Sequence, residues 1–245
     1  MPNDDGAMVV SWFSAGVSSA VATKMSIKNI DKIIYTHIDD QHPDTIRFVK
    51  DCEQWFGMQV EILSADVPSV RAACLGAGGR GYINGPGGAA CTKYLKRGVR
   101  QKWEYEHGAE NMAYVWGMDC TESKRCDRIV ESMPQFGHIF PLVEKSISKE
   151  HAHEILRASG IKRPEMYDLG YPNNNCIGCV KGGRGYWNQI RTDFPEVFWE
   201  RSKMEREIGH SCINGIFLDE LDPGDGRASK IILDDCGIFC QLMAI

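Results

Sequence analysis

The chain has 245 residues, and its 33 acidic against 28 basic side chains leave a formal net charge of −5, which argues against a protein that coats nucleic acid, because neutralising phosphate needs surplus Lys and Arg. Its 43% hydrophobic and 25% charged content suits one large α/β domain, or a domain with an appendage, rather than a disordered chain. No apolar run approaches the length of a membrane span, so no membrane partner is expected.

The N-terminal "MPNDDGAM" is acidic and polar and lacks the apolar core of a signal peptide, so the expected location is cytoplasmic. Met8–Phe13 reads as a buried strand and Val17–Ser26 as the helix after it. "KIIYTHI" (Lys32–Ile38) is the second strand, Pro43–Phe56 an amphipathic helix stopped by Gly57, and "VEILSA" the third strand. Gly76–Gly88 is too glycine-rich for a regular element and reads as a mobile loop. Cys91–Glu106 reads as helix, Ala113–Met118 and His138–Leu142 as strands, and Ser148–Ser159 as a helix ending at Gly160. Strands alternating with helices predict an α/β fold whose parallel sheet is covered by helices on both faces. Residues 1–143 are expected to form this core, and residues 144–245 a smaller, mainly helical C-terminal region.

The corner between the first strand and helix is Ser14-Ala15-Gly16-Val17-Ser18-Ser19. In parallel α/β sheets ligands bind beyond the carboxyl ends of the strands. A helix starting there offers unpaired amides and a partial positive charge to phosphate. The small residues let the backbone approach an anion, and the Ser hydroxyls can donate to it. The plainer reading is a tight turn with a Ser cap. The run lacks the Lys of a Walker A loop, so a kinase-style phosphate loop is not expected. A strand-end position also points His37 and Asp39 to a ligand pocket, and Glu122 and Arg125, after the strand-end Gly117, to its border.

Ten cysteines are many for a chain with no secretory signal, where core packing, metal ligation or nucleophilic chemistry is expected rather than disulfides. Cys176-Ile-Gly-Cys179 sits in a loop-like stretch, "NNNCIGCVKGGRG", and is the strongest metal signal; a redox pair is the alternative. Cys52 falls on the apolar face of its helix and reads as core, while Cys74, Cys120 and Cys126 have no partner at a telling spacing. Lys93, Lys96 and Arg97, with Arg100 and Lys102, form a basic cluster that meets phosphates or nucleic acid, or is simply a solvated face.

These stretches together resemble the PP-loop ATP pyrophosphatase superfamily, and within it the phosphoadenylyl-sulfate (PAPS) reductase-like family. The corner is similar to the loop Ser-Gly-Gly-x-Asp-Ser, with Ala15 for the first Gly and Ser18 for the Asp. "HIDDQHPDTIRFVKDCEQWFG", "GMDCTESKR" and "YDLGYPNNNCIGC" resemble further family segments. The resemblance implies an adenine nucleotide, ATP or an adenylyl sulfonucleotide, at Ser14–Ser19, with Mg2+ as the accompanying ion. It also implies a [4Fe–4S] cluster on Cys91, Cys176 and Cys179. Adenylyl-sulfate reductases carry adjacent cysteines where this chain has Ala90-Cys91, so the fourth ligand is left open: Cys212, Cys236 or Cys240, or no cysteine at all. The tail "LDDCGIFC" resembles the reductases' Glu-Cys-Gly-x-His end, which makes Cys236 a candidate nucleophile; Lys93 is the second catalytic candidate. The leading expectation is ATP-dependent sulfur transfer through adenylation of an acceptor, with a tRNA or DNA acceptor and a thiol or sulfur donor as partners. The alternatives are a sulfonucleotide reductase and a non-enzymatic nucleotide- and cluster-binding redox sensor.

Overall fold

A computed structural model describes residues 6–76, 81–85, 87–108 and 111–226. Its centre is β1 (Met8–Trp12), whose last three residues are buried. It lies parallel to β2 (Lys32–His37), with Val10 opposite Lys32, and parallel to β6 (Met112–Val115), with Val10 opposite Tyr114. β3 (Val60–Ser64) and β7 (Gly137–Ile139) complete a five-stranded sheet in the order β3-β2-β1-β6-β7. The chain leaves β1 for β2 on one side and reaches β6 on the other, so the topological switch lies between β1 and β6. Ligands of open α/β sheets bind at that point, beyond the strands' carboxyl ends.

Helices α1 (Val17–Ser26), α2 (Asp44–Phe56), α4 (Gly98–His107) and α5 (Ser123–Ser132) alternate with the strands, followed by α6 (Pro141–Glu144), α7 (Lys149–Ala158) and α8 (Glu165–Asp168). α1 is built from small residues because it is buried from Val17 through Thr23 and packs against α2, α6 and α7. Its Thr23 hydroxyl donates to the Ser19 carbonyl and meets Ser11 of β1 at 2.7 Å. α2 shows the expected amphipathic pattern and ends on Gly57 with φ +69°. The expected last strand is shorter than its apolar run, because Pro141 takes the first position of α6, where its missing amide costs no hydrogen bond.

The chain separates into two compact units. One comprises Met1–His37, Pro43–Leu63 and Arg100–Asp168, and holds the sheet; the other comprises Ile38–His42, Ser64–Val99 and Leu169–Ile245. The second unit contains α3 (Val70–Leu75), a short antiparallel pair β4 (Asn84–Gly85) and β5 (Gly88–Ala89), α9 (Arg184–Asp193) and α10 (Pro195–Ile208). The glycine-rich stretch expected to lack regular structure carries part of this short antiparallel pair, with Gly85 opposite Gly88. α10 packs against α9 and α3 around a core of Val70, Ala73, Cys74, Leu95, Cys176, Val180 and Met204. Among the described residues, no helix is long and apolar enough to cross a membrane.

Candidate functional site

In the sheet unit the corner after β1 forms a bend with Ala15 at φ +58°, a conformation that costs a non-glycine residue about 1–2 kcal/mol. The helix that follows has Gly16 as its extended N-cap, which has no side chain to cap the first amides. The Val17 amide donates to the Tyr167 hydroxyl at 3.3 Å. The first intrahelical bond runs from the Ala20 amide to the Gly16 carbonyl, so the amides of Ser18 and Ser19 precede the bonding ladder, as anion-binding helix termini require. Two of the three serines brace the bend: Ser14 donates to the Ser19 hydroxyl, and Ser19 donates to the Gly16 carbonyl, both at 2.9 Å. Ser18 is buried without being drawn into that brace.

Gly117, just past β6, is pressed against this corner, and a Cβ there would lie 2.5 Å from the Ser19 Cα. Glu122 and Arg125 follow Gly117 in the chain, and their side chains are engaged locally. One Glu122 oxygen accepts the Asp119 amide at 3.1 Å in a capping box, and the other pairs with the largely buried Arg125. His37 is half-buried at the end of β2, with Nδ1 3.4 Å from the Tyr35 hydroxyl. Asp39 is exposed and belongs to the other unit.

The second unit gathers the cysteines. Cys91, Cys176 and Cys179 line one small cavity with Ile38, Val70, Thr92, Lys96 and Val180. Cys91 precedes a π-helical segment, Thr92–Arg97, a rare geometry that recurs at functional sites, and this segment supplies Thr92 and Lys96. Lys93 is exposed, with its ammonium 5.1 Å from the Tyr94 ring, rather than in the cavity lining. Cys74, to which the sequence assigns no role, is fully buried in the same core as Cys176. Burial pushes its thiol up to about 11, with the Arg201 charge and the Cys91 amide acting in the opposite sense. Burial, then the neighbouring Glu205, raises the Cys212 thiol; that carboxylate also accepts the Cys212 and Leu218 amides. None of the eight described cysteines is in a disulfide, and Cys52 is buried in the other unit's core. Cys236 and Cys240 lie outside the described residues.

The loop from Cys176 to Cys179 is held by hydrogen bonds to the main chain at each of its four residues. Gln41 bridges to Cys176, and the Ile177 amide donates to the Asp40 carbonyl at 2.8 Å. Arg201 Nε reaches the Gly178 carbonyl at 3.4 Å, and the Gly182 amide donates to the Cys179 carbonyl at 2.9 Å. Gly178 has φ +67°, and a Cβ there would meet Val197 Cγ1 at 2.6 Å, so a larger residue at position 178 is both strained and crowded. Arg201 is buried and ion-paired with Asp40 and Glu200. Burial works against its charge, but those carboxylates outweigh it and raise its pKa.

Three thiols around one apolar cavity are three of the four donors an iron–sulfur cluster takes. Among the described residues no group of three or more Cys, His, Asp or Glu side chains stands close enough to hold a single metal ion. A zinc-type site gathers its thiolates on one ion at about 2.3 Å, whereas each thiolate of a cluster takes its own iron and stands further from the others. The free space between the thiols is about 10 Å3, room for about one water, so a cluster requires these side chains to swing apart. The residues match such a group in donor chemistry, while the cavity as it stands is too small to hold it.

No curated protein matches the chain. The family model for the phosphoadenosine phosphosulfate reductase domain matches residues 8–183, a span from β1 through the cysteine loop that includes the corner, Gly117 and all three cavity cysteines. With more than half of its residues in that match, the chain belongs to the phosphoadenosine phosphosulfate reductase domain family.

Proposed function

We propose that the chain is an iron–sulfur PP-loop enzyme that binds an adenine nucleotide at Ser14–Ser19 and uses ATP to transfer sulfur to an acceptor, with a tRNA or DNA base as the acceptor class. The observation that supports it most is the lining of one cavity by Cys91 and the distant Cys176/Cys179 pair, with Lys96 beside them. In this reading the amides at the start of α1 take the nucleotide's phosphate charge, with Mg2+ accompanying ATP. A carbonyl-like oxygen of the acceptor attacks the α-phosphorus and pyrophosphate leaves. A sulfur nucleophile from a thiol or sulfide donor then attacks the activated carbon, and AMP leaves with the former carbonyl oxygen. Bound on the three thiolates, a [4Fe–4S] cluster supplies iron sites able to hold sulfur. Lys96 balances negative charge at the cavity, and Lys93 remains a candidate for meeting the acceptor or nucleotide.

The family match favours a second reading, sulfonucleotide reduction. There the Cys236 thiolate attacks the sulfur of an adenylyl sulfate, the S–O bond to phosphate breaks, and the nucleotide leaves with that electron pair. A second thiol, from a dithiol reductant, then displaces sulfite and forms a disulfide. Anaerobically purified protein offered ATP with sulfide and bulk tRNA, and separately adenylyl sulfate or PAPS with a dithiol, decides between them. Acceptor-dependent pyrophosphate release with thiolated nucleotide supports sulfur transfer, and sulfite release supports reduction. Nucleotide binding and cluster colour without turnover in any mixture indicates the redox sensor.

A further inference from the structure

The stretch that follows Cys179, "VKGGRGY", ends on a tyrosine for which sequence reasoning gives no role. Tyr186 is fully buried at the start of α9. A buried tyrosine hydroxyl needs partners, and both of its partners are main-chain groups of the cysteine loop. It accepts the Cys179 amide at 2.7 Å and donates to the Cys176 carbonyl at 3.2 Å. One hydroxyl thus bridges the two ends of the turn that carries both thiols. The ring is set by its surroundings: it stands edge-to-face with Tyr171 and with Trp187, at centroid distances of 5.8 and 5.5 Å. A Cβ on Gly182 would fall 1.9 Å from the ring's Cδ1, so that glycine admits the ring while its amide ties down the Cys179 carbonyl.

We propose that Tyr186 is a positioning residue that clamps the Cys176–Cys179 loop and so fixes the direction of its two thiols. For the cluster this rests on the function proposed above; for the thiols themselves it does not. Partners that orient ligating groups without touching the metal typically change metal affinity by about 10- to 100-fold when removed.

The test compares the full-length wild type, Tyr186→Phe and Ile190→Val. The first variant keeps the ring and loses only the hydroxyl; the second trims a buried side chain of the same helix that carries no polar group. In metal-free protein, alkylation of Cys176 and Cys179 by iodoacetamide, followed by peptide mass spectrometry, reads the loop directly. Tyr186→Phe is expected to speed both by about tenfold, the scale of losing buried hydrogen bonds, with Cys52 as an unchanged internal reference. After anaerobic reconstitution, iron release to a chelator should be roughly 10- to 100-fold faster in Tyr186→Phe than in Ile190→Val. Alkylation of both cysteines at the Ile190→Val rate overturns the clamp. If the wild type takes up no iron, the cluster reading fails while the alkylation rates still decide the role of Tyr186.

Discussion

Gly117 has no room for a side chain, because a Cβ on it would lie 2.5 Å from the Cα of Ser19 and 2.7 Å from its amide nitrogen. The end of β6 and the first turn of α1 are therefore in backbone contact at the switch point of the sheet, the place proposed for the nucleotide's phosphates. Gly117→Ala forces one of them to move. The expected cost is about 1–3 kcal/mol, as for other overpacked sites, with a loss of nucleotide affinity because the amides of Ser18 and Ser19 are displaced. Urea unfolding and titration with a fluorescent ATP analogue check both, and unchanged binding would separate the corner from the nucleotide.

Arg201 and Asp40 form the second unit's most buried ion pair among the described residues, and Asp40 also accepts the Val70 amide at 2.8 Å. Arg201→Met leaves that carboxylate uncompensated, which costs about 3–5 kcal/mol when one member of a buried pair is removed. Replacing both, with Asp40→Asn added, is expected to cost clearly less than the sum of the single changes. A double-mutant cycle by denaturant unfolding measures the difference, and additive losses would mean that the two charges do not support each other.

In the sheet unit Asp44 and Arg47 fasten the segment before α8 to α2. Asp44 accepts from Arg47 and from the Glu165 amide at 2.9 Å, while Arg47 reaches the carbonyls of Lys162 and Arg163. The Arg47 hydrogen bond holds the Asp44 carboxyl below its ordinary 3.8, against a smaller opposing effect of burial. A carboxyl depressed in the folded state contributes stability that is fully present above its unfolded value, and loses it as pH falls from 3.8 through the folded value. Asp44→Asn is therefore expected to lower stability at neutral pH by about 1–3 kcal/mol and to flatten the acid limb of the stability profile below pH 3.8. Thermal melts between neutral pH and pH 2 test this, and an acid limb identical to the wild type's would remove Asp44 from the account.

The strand–bend–helix corner was legible because its signal is local: an apolar run, then residues too small to serve for packing alone, then a helix. Ala15 at φ +58° explains why a glycine suits that place. The cavity cysteines were legible for a different reason, since Cys-x-x-Cys is a short-range pattern and Cys91 was drawn in by resemblance. What holds them was not legible. Asp40 and Arg201 are far apart in the chain, and polar pairs at that distance leave no periodic trace. Cys74 sits on a short helix with no telling spacing, and only the folded core brings it beside Cys176. The interleaving of the units, with Ile38–His42 leaving the sheet unit for the other, follows from long-range pairing that hydropathy does not encode. Glu122 and Arg125, expected at the pocket border, engage each other and a helix cap, contacts that come from their short spacing on one turn.

The most direct test of the central claim is iron and acid-labile sulfide per chain in protein purified without oxygen, for the wild type and for Cys91→Ser, Cys176→Ser and Cys179→Ser. Convergence of these thiols on one cluster predicts about four iron and four sulfide per wild-type chain, and a marked loss in each of the three variants. Wild-type protein that holds no iron, or that keeps its full iron content when Cys91 is replaced, would contradict it.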